Sequence, residues 1–162
     1  MIPADHWLNE YGRHHNHGAN RLIHWLSIPL IVTSVVGMLW SLPVPETFSQ
    51  ATPVLNWGTI FLMAAVVYYF IISISLAFGV LPFIALVVLS VTWLEQISLP
   101  LWLTSLAIFL VAWAAQRVGH EIEGNRPSFV ADLQYLMIGP VWLLAIVYKR
   151  LRIPYLRMAL DR

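Results

Sequence analysis

The sequence predicts an all-α fold: an integral membrane bundle of four transmembrane helices followed by a short re-entrant or interfacial C-terminal helix. Three observations carry this expectation. The 162 residues are 59% hydrophobic and only 10% charged, where a soluble domain carries about 25% charge. The apolar residues gather into runs that approach the ~20 residues needed to cross a hydrocarbon core. The lysines and arginines are confined to three segments outside those runs. The length suits one integral membrane domain over residues 1–162.

The first run extends from about Leu22 to Leu42 and holds His24 near its start; Pro43 and Pro45, with Glu46, end it. The second extends from about Leu55 to Phe78. Gly79 and Pro82 bracket an expected tight turn into the third, Val80 to Leu94. Ser98 and Pro100 start the fourth, Leu99 to Ala115. A fifth run, Tyr135 to Tyr148, is interrupted by Gly139-Pro140 and is too short for a comfortable span. It is expected to be re-entrant or interfacial. No internal repeat or low-complexity tract is present.

Charge orients the bundle. Arg13 and Arg21 precede the first span, Arg117 and Arg126 follow the fourth, and Lys149, Arg150, Arg152, Arg157 and Arg162 lie in the tail. Four spans bring all three segments to one face, which the positive-inside rule makes cytoplasmic, with both termini. The membrane is the inner membrane in a bacterium or the endoplasmic reticulum in a eukaryote. Trp40, Trp57, Trp93 and Trp102 fall at the outer ends of the spans and Trp7, Trp25 and Trp113 nearer the inner boundary, as interfacial anchors do. The first twenty residues are polar and histidine-rich, unlike a signal peptide. Absent cysteine excludes disulfides, thiolate metal sites and cysteine nucleophiles. A net charge of +1 with no basic tract offers nothing for nucleic acid.

The histidines are the informative residues. His6, His14, His15, His17 and His24 come first, and nearly a hundred residues then pass before His120. Topology returns His120 to the face where the others begin. Ionisable groups inside a membrane are costly and seldom idle, and imidazole is the commonest protein metal ligand. His17, Asn20 and His24 share one helical face, three and four apart. His15 lies about half a turn from His24 on a continuous helix, so the two share a ligand only if the helix breaks, as His17-Gly18 would allow. Asn20 is then an N-cap or a donor supporting a histidine. His120 and Glu123, three apart, can offer a nitrogen and an oxygen to one metal, or a ligand and its orienting carboxylate. His6 has ordinary polar surroundings and is set aside; His14 and His17 stay open. The alternative for His15, His24 and His120 is a hydrogen-bonded cluster without metal.

Three blocks carry a resemblance. Tyr11, Gly12, His15, His17, Asn20, Arg21, Leu22, Ile23, His24 and Trp25 form the first. Trp113, Gln116, Gly119, His120, Ile122, Glu123, Gly124, Pro127 and Ser128 form the second. Asp132, Leu133, Leu136, Ile138, Gly139, Pro140, Trp142, Leu143 and Leu144 form the third. Together they resemble a small membrane family that includes the fungal 2-hydroxy fatty acid dioxygenase and many uncharacterised bacterial proteins. Bacterial members usually carry Asn-Pro where this chain has His17-Gly18, which weighs against His17 as a ligand.

The resemblance implies an iron(II)-dependent α-oxidation in which a 2-hydroxy fatty acid and dioxygen yield a fatty acid one carbon shorter. It implies His15, His24 and His120 as iron ligands, Glu123 as a fourth ligand or a base beside them, and Asn20 as a residue orienting a ligand. Arg21 or Arg126 would pair with the substrate carboxylate, and the acyl chain would lie among apolar helices in contact with membrane lipid. Two alternatives stand beside it. A zinc-dependent membrane lipid hydrolase would use the same imidazoles and a water. A non-enzymatic haem or lipid-binding protein would use His24 and His120 as axial ligands. Six histidines are too few for the eight-histidine di-iron pattern.

Overall fold

The computed structural model describes residues 18–52, 54–124 and 129–153, with the side chains of 49, 123 and 129–138 outside that description. Every regular element among the described residues is helical. They are α1 (Gly18–Trp40), α2 (Glu46–Ala51), α3 (Trp57–Ile72), α4 (Ile74–Leu94), α5 (Leu101–Glu123) and α6 (Phe129–Leu151). Helices α1, α4 and α5 are long and apolar enough to cross a membrane. At 16 residues, α3 rises only about 24 Å, short of the ~30 Å core.

Helix α1 is the axis of the bundle, because it packs against α3, α4, α5 and α6. It is buried on several sides, at Ile28, Ile31, Val32 and Val36 as well as at Asn20, His24, Ser27 and Ser34. From Ile31 to Trp40 it has no exposed residue, as befits a helix inside a bundle. Two apolar clusters surround it. Val32 and Val36 pack with Leu62 of α3 and Val87 and Val91 of α4. Nearer the His24 end, Ile28 packs with Ala65, Tyr69, Leu76, Val80 and Val141–Ala145 of α6. Trp40, Trp57 and Trp102 stand at helix ends away from His24.

Four boundaries differ from the sequence expectation. The turn between the second and third runs falls at Ser73, not at Gly79–Pro82, both of which lie inside α4. Ser73 is extended (φ −164°, ψ 126°) and its Oγ accepts from the Leu76 N–H, so a single residue ends one helix and caps the next. Serine is among the favoured N-caps, whereas a proline inside an apolar helix is tolerated when neighbours absorb the freed carbonyl. Gly79 is used for packing instead: a Cβ there would strike the Tyr148 hydroxyl of α6.

Two of the others are differences of length, and the last is an added helix. Helix α5 does not stop at Ala115 but continues through His120 to Glu123, where Gly124 in the left-handed region (φ 74°) ends it. Helix α6 spans 23 residues with Pro140 inside it, rather than a short stretch from Tyr135; Gly139 faces Ile28 of α1, whose side chain a Cβ would meet at 3.3 Å. The segment after Pro45 forms the short α2, not expected from the sequence.

Candidate functional site

The α1–α5 contact is built differently from the rest. No buried α5 residue belongs to either apolar cluster; Leu101, at its start, packs against the edge of one. Its buried positions are Ser105, Ala112 and Gly119, spaced by seven, and His120 beside the last. The facing positions on α1 include Asn20, Ser27 and Ser34, also spaced by seven and all buried. Within lipid, apolar surface gives helices no preference for each other, so close backbone approach and polar groups hold such pairs together. The approach is close at both ends: a Cβ on Gly37 would strike Ser105 Oγ, and one on Gly119 would strike Asn20 Oδ1. The pairing is therefore antiparallel, with the start of α1 against the end of α5.

At that end the two histidine regions meet. The rings of His24 and His120 lie 4.9 Å apart, edge to face at 75°. Both are buried, at 1% and 6% exposure, beside a fully buried Asn20. His24 Nδ1 donates to the Asn20 main-chain carbonyl at 2.9 Å. A carbonyl only accepts, so the proton sits on Nδ1 and Nε2 carries the lone pair. A hydrogen bond from the second ring nitrogen is the usual support of a ligating imidazole.

The ring separation discriminates between ligand types. Two imidazoles on adjacent positions of one metal, with nitrogens about 2.0–2.1 Å from it, have centroids about 4.5–5 Å apart. Axial imidazoles on opposite sides of a haem would be separated by roughly 6 Å with a porphyrin between them. The observed edge-to-face contact fits the first and leaves no plane for the second. Three donors are not assembled among the described residues, where no group of three His, Cys, Asp or Glu could hold a metal. His15, the expected third ligand, lies outside them, as do His6, His14, His17 and Arg126. Glu123 is the last residue of α5, one turn past His120, but its side chain is not described. Arg21 is exposed near the start of α1.

A family model described as 2-hydroxy-palmitic acid dioxygenase Mpo1-like matches residues 1–151. The chain belongs to the Mpo1-like family. No curated protein and no solved structure matches it. In this Mpo1-like chain, two of the sequence blocks that carried the resemblance come into contact at His24 and His120. The Asn20 main-chain carbonyl accepts from His24, a backbone contact that the sequence alone does not reveal. Sequence reasoning missed the seam of Asn20, Ser27 and Ser34 against Ser105, Ala112 and Gly119, although its spacing of seven was legible. It also missed Arg117, whose guanidinium lies over the Trp113 ring, 5.5 Å from its centroid.

Proposed function

We propose that this protein is an iron(II)-dependent dioxygenase that shortens 2-hydroxy fatty acids by one carbon. The observation that carries the proposal is the buried His24–His120 pair, at a separation suited to adjacent coordination positions, in a chain of the Mpo1-like family. His15, His24 and His120 are the proposed ligands, with Glu123 as a fourth ligand or a base beside them. The chemistry that ferrous iron supplies when bound is activation of dioxygen.

The chain's own residues do the positioning. Asn20, through its carbonyl, holds the His24 tautomer and ring direction. Close packing of Gly119 on Asn20 fixes the distance between the two imidazoles. The apolar helices around the pair limit water and accommodate an acyl chain, while Arg21 and Arg126 supply positive charge for its carboxylate. In this reading α1, α4 and α5 cross the membrane, the shorter α3 also crosses where the bilayer thins locally to match it, and both termini face the cytoplasm with the site. The membrane is the bacterial inner membrane, or the endoplasmic reticulum in a eukaryote.

The experiment is chain shortening itself. Protein loaded with Fe(II) is given 2-hydroxyhexadecanoate under air and under nitrogen, and pentadecanoate is followed by mass spectrometry. The acid should appear under air only, disappear on chelation and return with Fe(II) but not with Zn(II). Iron-loaded protein that forms no pentadecanoate under air would overturn the assignment. Zinc-supported hydrolysis of a lipid amide or ester would replace it.

A further inference from the structure

The α5 face that carries His120 holds a second set of groups. At about 100° per residue, Trp113, Gln116, Arg117 and His120 fall within one arc of roughly 100°. Arg117 stands one turn before His120, and Trp113 one turn before Arg117. The Arg117 guanidinium rests over the Trp113 ring, 5.5 Å from its centroid. A cation–π contact of this kind pairs the positive charge with the ring and provides no oxygen acceptor for the guanidinium N–H groups.

Two groups here want the same complement. Among the described residues no carboxylate pairs with Arg117, and Glu121, four residues on, is exposed and forms no ion pair with it. Trp113 Nε1 is buried and has no hydrogen-bond acceptor among the described residues. An indole N–H is a donor only, and a buried donor left without an acceptor costs about 1–3 kcal/mol. A fork of guanidinium donors beside an N–H donor matches a carboxylate, which accepts through two oxygens.

We infer that Arg117 and Trp113 form the carboxylate-binding position of this site, taking the head of a long-chain carboxylic acid. The inference rests on the proposed dioxygenase reading and deepens it. Arg117 rises only about 4.5 Å along the helix before His120, so a carboxylate held there brings the adjacent carbon of a 2-hydroxy acid toward the histidine pair. Arg21, exposed on α1, then contributes general positive charge and Arg117 the direct contact. A guanidinium that only reached for the membrane surface would not distinguish an acid from its ester.

The test uses the full chain in detergent micelles, with 2-hydroxyhexadecanoate and its methyl ester as probes. The Trp113 indole signal in a 15N–1H spectrum is identified by its loss in W113F. Adding the acid should move that signal, and adding the ester should not. R117Q should weaken acid binding at least about tenfold, the scale of a lost charged hydrogen bond, with ester binding unchanged; R117K should recover only part. Arg117 is exposed, so R117Q keeps the test open if W113F fails to fold. The inference is overturned if the wild type does not bind the acid, or if R117Q binds it as tightly as wild type. Equal losses for acid and ester, or a loss confined to R21Q, overturn it as well. Chain shortening with wild-type KM in R117Q would remove the inference and leave the dioxygenase. Acid-selective binding without any shortened product would do the reverse.

Discussion

Replacing Gly119 by alanine should separate site geometry from fold stability. A Cβ at this position would strike Asn20 Oδ1 and lie 3.5 Å from both Asn20 Cγ and Ile23 Cδ1. Asn20 is fully buried and has no solvent to swing into, so the helices must part by on the order of 1 Å to restore ordinary contact. Overpacking of this kind costs about 1–3 kcal/mol, and alanine returns about 0.8–1 kcal/mol of helix propensity over glycine. The net loss is roughly 0–2 kcal/mol, a fall in Tm of a few degrees for a chain of this size. The effect on chemistry should be larger. The same displacement moves His24 relative to His120, and a misplacement of about 1 Å can cost about 100-fold in rate.

Gly37→Ala is the matched control. Its Cβ would strike Ser105 Oγ at the other end of the same interface, some 20 Å along α1 from His24. It should lower Tm to a similar degree, leaving turnover within a few-fold. Thermal melting in detergent, iron affinity and pentadecanoate formation are the three measurements. Wild-type turnover and iron affinity in Gly119→Ala would refute the reasoning, as would an equal loss of turnover in Gly37→Ala.

Three further outcomes follow from the same geometry. His120→Ala should abolish stoichiometric iron binding; a variant that still binds one iron per chain would remove His120 from the site. Asn20→Ala should keep the His24 Nδ1–H resonance, because its acceptor is the main-chain carbonyl; loss of that signal would mean the amide holds the ring. Tyr148→Phe removes the hydroxyl that donates to the Ser75 carbonyl at 2.9 Å and should cost about 1 kcal/mol. An unchanged melting temperature would show that this tie between α6 and α4 contributes nothing.

Much of the helical content was legible because hydropathy reports the solvent a segment prefers. The first and fourth runs were located to within a few residues at their outer ends, where proline and charge punctuate the chain. The Ser73 turn was not, because it lies inside an uninterrupted apolar run and the more visible Gly79 and Pro82 compete with it. Glycine there serves a neighbouring helix: Tyr148 occupies the space a Cβ would need. The same ambiguity shortened the expected α6, since Gly139-Pro140 reads as a break but functions as a packing surface against Ile28. Helix α5 was cut short at Ala115 because Gln116, Arg117 and His120 lower its hydropathy, yet the backbone runs on to the left-handed Gly124.

For the site, the sequence alone determined the chemical repertoire and the parity. Histidines without cysteines limit what can be ligated, and the placement of arginines between the runs returns His120 to the end of the bundle that holds His24. Contact is another matter. That His24 and His120 touch, that a main-chain carbonyl sets the His24 tautomer, and that Arg117 lies on Trp113 were decided by the α1–α5 interface. The physical reason is that spacing along one helix defines a face, while the partner of that face depends on how closely two backbones approach. Here that approach is set by Gly37, Ser105, Asn20 and Gly119 meeting across the interface.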